Sequence, residues 1–96
     1  MSSLKFLAWH HHAWLVSVGW AGKRTPLEDC ALIASEVGEA ANECRGEKPT
    51  EAFAEELADI ILRVFGTAVE NGIDIEAAVK AKMEKNLSRG TRGRAK

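Results

Sequence analysis

Ninety-six residues, 46% apolar and 28% charged, describe one ordinary soluble globular domain with a single core and modest stability when alone. The formal net charge of −1 covers an asymmetry, with acids dominating from Glu28 to Asp59 and Lys80, Lys82, Lys85, Arg89, Arg92, Arg94 and Lys96 making the end basic. The Trp-rich run from Leu4 to Trp20 is too short and polar to span a membrane and lacks a small-residue cleavage signature, and no zinc spacing occurs, so a membrane protein and a zinc module are excluded.

Leu4, Phe6, Leu7, Trp14, Leu15 and Val18 recur at helical spacing and predict a first helix over about 4–20, ended by Gly19 or Gly22. Thr25-Pro26-Leu27-Glu28 is a strong start for a second helix over 26–45: Thr25 caps, Pro26 takes the first helical position and Glu28 reaches back to the cap. Gly46 is then available for a left-handed stop. Cys30 and Cys44 lie in this one helix, roughly 21 Å apart along its axis, and cannot bridge while it is intact. Two free thiols suit a reducing cytoplasm. Gly38, between two acids, suggests close approach of another helix or a ligand, the alternative being mere tolerance of a glycine there.

The polar linker Gly46-Glu47-Lys48-Pro49 is short, which favours an antiparallel neighbour. A third helix is expected over 50–71, where Phe53, Leu57, Ile60, Ile61, Val64, Phe65, Ala68 and Val69 repeat at three and four before Asn71-Gly72 stops it. Asp74 caps a fourth helix over 74–88, and 89–96 reads as an irregular basic tail. With no strand-like alternation and no repeat, the fold class is all-α, a four-helix bundle-like protomer in a single domain. Its alanine-rich faces bury little area each, so a homodimer or a dimer of dimers is expected to complete the core.

Two carboxylate pairs carry the chemistry: Glu36-Val37-Gly38-Glu39 and Glu56-Leu57-Ala58-Asp59. Residues three apart on a helix share nearly one face, so each pair aims two carboxylates at one place, and antiparallel helices bring all four together. Both pairs border apolar stripes, and nothing basic lies four residues from Glu36 or Glu39, although Arg63 lies four past Asp59. Such a patch repels itself without a cation, and all-oxygen ligation suits Mg²⁺ or Mn²⁺. Every histidine precedes the first glutamate, so the Glu-x-x-His motif of di-iron bundles is impossible. Lys82, Asn86 and Arg89, four and three apart, can share a face that suits a polyphosphate.

Ser35-Glu36-Val37-Gly38-Glu39-Ala40, Glu55-Glu56-Leu57-Ala58-Asp59-Ile60, Asn71-Gly72-Ile73-Asp74 and Lys82-Met83-Glu84-Lys85-Asn86-x-x-Arg89, in this order, resemble the MazG-like all-α nucleotide pyrophosphohydrolases from about Thr25 to Arg89. One departure is Ser35, where many relatives carry an acid. The resemblance implies a Mg²⁺-dependent dimer or tetramer that cuts nucleoside triphosphates to monophosphate and pyrophosphate, in nucleotide-pool house-cleaning or a regulatory task. It implies Glu36, Glu39, Glu56 and Asp59 as metal ligands, and Lys82, Asn86 and Arg89 as groups holding phosphates or sugar. Trp14 or Trp20 would stack on the base, with a histidine from His10 to His12. The ion would polarise the phosphate and acidify water, and Glu39 would position or deprotonate that water. Rival readings are phosphoribosyl-ATP pyrophosphohydrolase and a non-enzymatic helical module that binds nucleic acid through the basic tail, although that tail is short and lacks interleaved aromatics.

Overall fold

The computed structural model describes residues 3–90. Four helices follow in order, α1 (Leu4–Ser17), α2 (Pro26–Asn42), α3 (Phe53–Glu70) and α4 (Ile75–Gly90), and the described residues contain no strand. The all-α, four-helix class follows from the apolar periodicity alone.

Local signals account for most helix ends. The Ser3 side chain accepts from Phe6 N–H at 3.1 Å and opens α1. The helix stops at Ser17, short of Trp20, because Gly19 turns left-handed at φ +77° and Trp20 N–H folds back onto Leu15 C=O at 2.9 Å. Both halves of the capping box open α2: Glu28 N–H donates to Thr25 Oγ1 at 3.1 Å, and Thr25 N–H donates to Glu28 Oε1 at 2.8 Å. That helix ends at Asn42, not Arg45, and Gly46 is not left-handed. Glu43 and Cys44 instead tighten the last turn by donating to Ala40 and Ala41.

The Thr50 hydroxyl donates to the Glu43 carboxylate, so it does not cap α3, which begins at Phe53 without a side-chain cap. At its far end Ile73 N–H bonds Ala68 C=O at 2.8 Å and Gly72 N–H bonds Val69 C=O at 3.1 Å, with Gly72 at φ +69°. That reciprocal pair is the left-handed helix stop expected of Asn71-Gly72. Asp74 Oδ1 accepts from Ala77 N–H at 3.0 Å and opens α4. Arg89 and Gly90 are helical, not tail, and the basic residues Arg92, Arg94 and Lys96 lie outside the described residues.

The third helix is the spine. It packs against α1 and α2, whereas α4 touches α1 and α3 but never α2. Asp29 meets Thr67 and Glu36 meets Arg63, so α2 and α3 run in opposite directions. Only Ala8, Ala40, Phe65 and Ala68 are buried apolar side chains among the described residues, while Trp9, Val16, Met83 and Leu87 lie more than half exposed. Alanines allow close approach but bury little area, which explains so thin a core. A Cβ on Gly66 would meet Leu15 Cδ1 at 3.4 Å, so α1 lies against α3 at ordinary contact distance there. A Cβ on Gly38 would meet nothing within 4 Å, so the close helix approach expected there does not occur. No helix among the described residues is long and apolar enough to cross a membrane.

Candidate active site

The antiparallel pairing of α2 with α3 sets Glu36 beside Glu56 and Asp59. One carboxylate oxygen from each lies within 4.8 Å of the others. Glu56 Oε1 is buried and has no hydrogen-bond partner. Burial raises the Glu56 carboxyl above its ordinary range, and the negative charges of Glu39, Asp59, Glu36 and Glu43 raise it further. An orphaned carboxylate oxygen among converging acids is a costly arrangement for a chain without a cation, and three hard oxygen donors fit Mg²⁺ or Mn²⁺. One cation is already present: Arg63 Nε donates to Glu36 Oε2 at 3.1 Å.

Two of these acids, Glu36 and Asp59, open onto a cavity of about 490 Å³ between α1, the α1–α2 loop, α2 and α3. Glu36, Asp59 and Arg63 line one part of it. Trp14 and Trp20 form an aromatic wall, edge to face at 5.4 Å and 86°, with His11 stacked on Trp14 at 6.0 Å. Burial, and then the neighbouring His12, lower the His11 pKa, which favours a neutral ring there. Further along α3 the lining residues are Gly66, Thr67 and Glu70. Asp29 on α2 accepts from Arg24 Nε at 3.0 Å and from Thr67 Oγ1 at 2.9 Å, so the loop is tied to both helices at this end. Acids beside an aromatic slot give a place for a charged group and a flat ring in one ligand.

A family model for the MazG nucleotide pyrophosphohydrolase domain matches residues 24–92, well over half of the chain. The chain belongs to this family. Membership supports nucleotide pyrophosphohydrolase activity in general, in a family of hydrolases that generally depend on a divalent metal. No curated protein and no solved structure matches it.

The MazG match contains α2, α3 and α4 but not α1, so the wall contributed by His11 and Trp14 lies outside it. Of the residues singled out in the sequence, Glu36, Glu56 and Asp59 converge, and Trp14 and Trp20 both face the cavity. Glu39 is exposed and lies outside the three-acid group, near enough to act on Glu56 through its charge. Lys82, Asn86 and Arg89 are exposed on α4, and none of them lines the cavity within one chain. Sequence reasoning missed Arg63 as the partner of Glu36, and missed Asp29, Thr67 and Glu70 entirely. A signal existed: Asp59, Arg63, Gly66, Thr67 and Glu70 fall at spacings of three, four and one, which keeps them on one face of α3.

Proposed function

We propose that this MazG protein hydrolyses nucleoside triphosphates, ribo or deoxy, to the monophosphate and pyrophosphate, with Mg²⁺ or in its place Mn²⁺ held by Glu36, Glu56 and Asp59. The observation that carries this reading is the unpartnered, buried Oε1 of Glu56 in a three-acid group that opens onto an aromatic-walled cavity. When bound, the ion supplies positive charge to phosphate oxygens and acidifies water.

The chain's own residues do the rest. Glu39, exposed and close enough to act on Glu56 through its charge, would orient or deprotonate the attacking water and would be the fourth acid of the ligand set. Arg63 lines the cavity beside Glu36, where its guanidinium would stabilise negative charge leaving with pyrophosphate. Trp14 and Trp20 hold the base and exclude water from one side of it.

Lys82, Asn86 and Arg89 enter this reading as phosphate or sugar contacts delivered by a second copy of the chain. Met83 and Leu87, 64% and 78% exposed on the same helix, supply apolar surface for a homodimer or a dimer of dimers. Two exposed free thiols suit a reducing cytoplasmic setting, and a role in cleansing the nucleotide pool fits the chemistry. The test is pyrophosphate release from all common nucleoside triphosphates, with phosphoribosyl-ATP in the same panel, in Mg²⁺, Mn²⁺ and EDTA. Release that needs the metal supports the reading; no release from any nucleotide overturns it. Turnover of phosphoribosyl-ATP alone would replace the substrate.

A further inference from the structure

From the polar groups at the end of the cavity away from the acids, we infer that the site selects bases carrying an exocyclic amino group over uracil and thymine, and that Glu70 makes the selection. The inference rests on the proposed nucleotide site. Glu70 follows Asp59 by eleven residues on the same face of α3, roughly 16 Å further along its axis. A phosphate held beside Glu36 and Asp59 therefore directs its sugar and base along α3 toward Gly66, Thr67 and Glu70, with Trp14 and Trp20 flanking the ring.

At that end one carboxylate is taken up and another offers an open acceptor. Arg24 Nε and Thr67 Oγ1 both donate to Asp29. His12 Nε2 holds one Glu70 oxygen, Oε2, which fixes the carboxylate. The other oxygen, Oε1, accepts no hydrogen bond among the described residues. It faces Gly22, where an added Cβ would sit 3.4 Å from it, so the left-handed glycine at φ +70° leaves this oxygen uncovered.

A fixed, open carboxylate oxygen wants an N–H. Cytosine and adenine present an exocyclic NH₂ there, and guanine presents its own. Uracil and thymine set carbonyl oxygens on both sides of their single N–H, so the carboxylate meets lone pairs, and a polar site facing the wrong partner discriminates strongly. Lys23 and the Arg24 guanidinium, of which only Nε is engaged, also line the cavity and would favour the carbonyl bases instead, so Lys23→Ala serves as the internal control.

The test does not need turnover. In EDTA, quenching of tryptophan fluorescence is followed during titration with dCMP, dAMP and dUMP, for the unaltered chain, Glu70→Gln and Lys23→Ala. The parallel kinetic arm measures kcat/KM for dCTP, dATP and dUTP in Mg²⁺. The unaltered chain is expected to favour the amino bases by at least about tenfold in both arms. Glu70→Gln, whose amide donates, is expected to erase or reverse that ratio in both arms. Equal binding of dUMP and dCMP, or a ratio that follows Lys23→Ala and not Glu70→Gln, overturns the assignment but leaves the pyrophosphohydrolase reading standing. Selective monophosphate binding without pyrophosphate release from any triphosphate upholds the selection and overturns the activity. Failure of all three monophosphates to bind overturns the inference.

Discussion

Arg63 Nε on α3 lies 3.1 Å from Glu36 Oε2 on α2, and this one guanidinium neutralises part of the acidic group from across the helix pair. Both side chains line the same cavity, so the pairing engages one oxygen of a carboxylate that the proposed ion would also use. In the metal-free chain tertiary structure supplies one cation to these acids, and an ion held as proposed would compete with it for Glu36.

That competition predicts the behaviour of Arg63→Met. Without the guanidinium, Glu36 is free for the ion, and Mg²⁺ or Mn²⁺ affinity should rise a few-fold by calorimetric titration. Metal-free stability should fall by about 1 kcal/mol or less, because Arg63 is partly solvated. Turnover should drop, since the cavity loses a cation facing the phosphates. Unchanged metal affinity would mean that Arg63 does not stand in for an ion.

Metal binding to the native chain alone should raise its melting temperature. At a hundred times the dissociation constant the linkage contributes about 2.7 kcal/mol, a rise on the order of 10 °C for a chain of this size. Glu56→Gln should lose most of that rise. The metal-free Glu56→Gln protein should itself melt higher than the unaltered one, because the like-charge crowding around Glu56 is gone.

The pH dependence of the metal-free chain carries the same sign. The native Glu56 carboxyl titrates above its unfolded value of 4.5, so the native state holds that proton more tightly. The contribution is fully present below pH 4.5 and is lost as pH rises through the native value. Urea titrations in EDTA at stepped pH should show this loss in the unaltered chain and a flatter profile in Glu56→Gln.

Acid should act oppositely on the junction of α1 with α4. Asp74 is held below its ordinary value of 3.8, first by the Ala77 N–H and then by Lys5. Glu76 is held below 4.5, first by the Lys5 N–H and then by Lys80. Both contributions are present above the unfolded values and are lost as pH falls through the lower native ones, in a window below about pH 4.5. Amide exchange should therefore show the start of α4 losing protection in acid before the middle of α3 does. Equal loss in both would mean that these contacts do not hold the junction.

Phe65→Ala should cost about 3–5 kcal/mol and unfold much of the isolated chain, because Phe65 is the one large buried side chain among the described residues. Leu87→Ala should leave a dilute monomer within about 0.5 kcal/mol of the original. If copies associate through α4, the same change should lower the melting temperature of concentrated samples and shift the mass measured by light scattering.

The helices were legible in the sequence because their signals are local. Thr25 and Glu28 cap through neighbours three residues apart, Asn71-Gly72 closes α3 through bonds spanning one turn, and the apolar repeat of α3 needs no partner to be seen. The convergence of Glu36, Glu56 and Asp59 was legible for a similar reason: spacing within each helix fixes a face, and a short linker brings the two faces together. Between α2 and α3, Thr50 bonds Glu43, seven residues back, a contact that no helical periodicity encodes, and α3 starts at Phe53 without a side-chain cap.

Tertiary structure alone decided the rest. Whether Arg63 serves Asp59 on its own helix or Glu36 on the next depends on how α3 is rotated against α2, and that is set by packing around residues such as Phe65 and Gly66. The cavity depends on Trp20 and Gly22 folding back over α3, through a left-handed turn at Gly19 whose direction the sequence does not state. Spacing along a chain determines which side chains share a face; only the angle and distance between packed helices determine which faces meet.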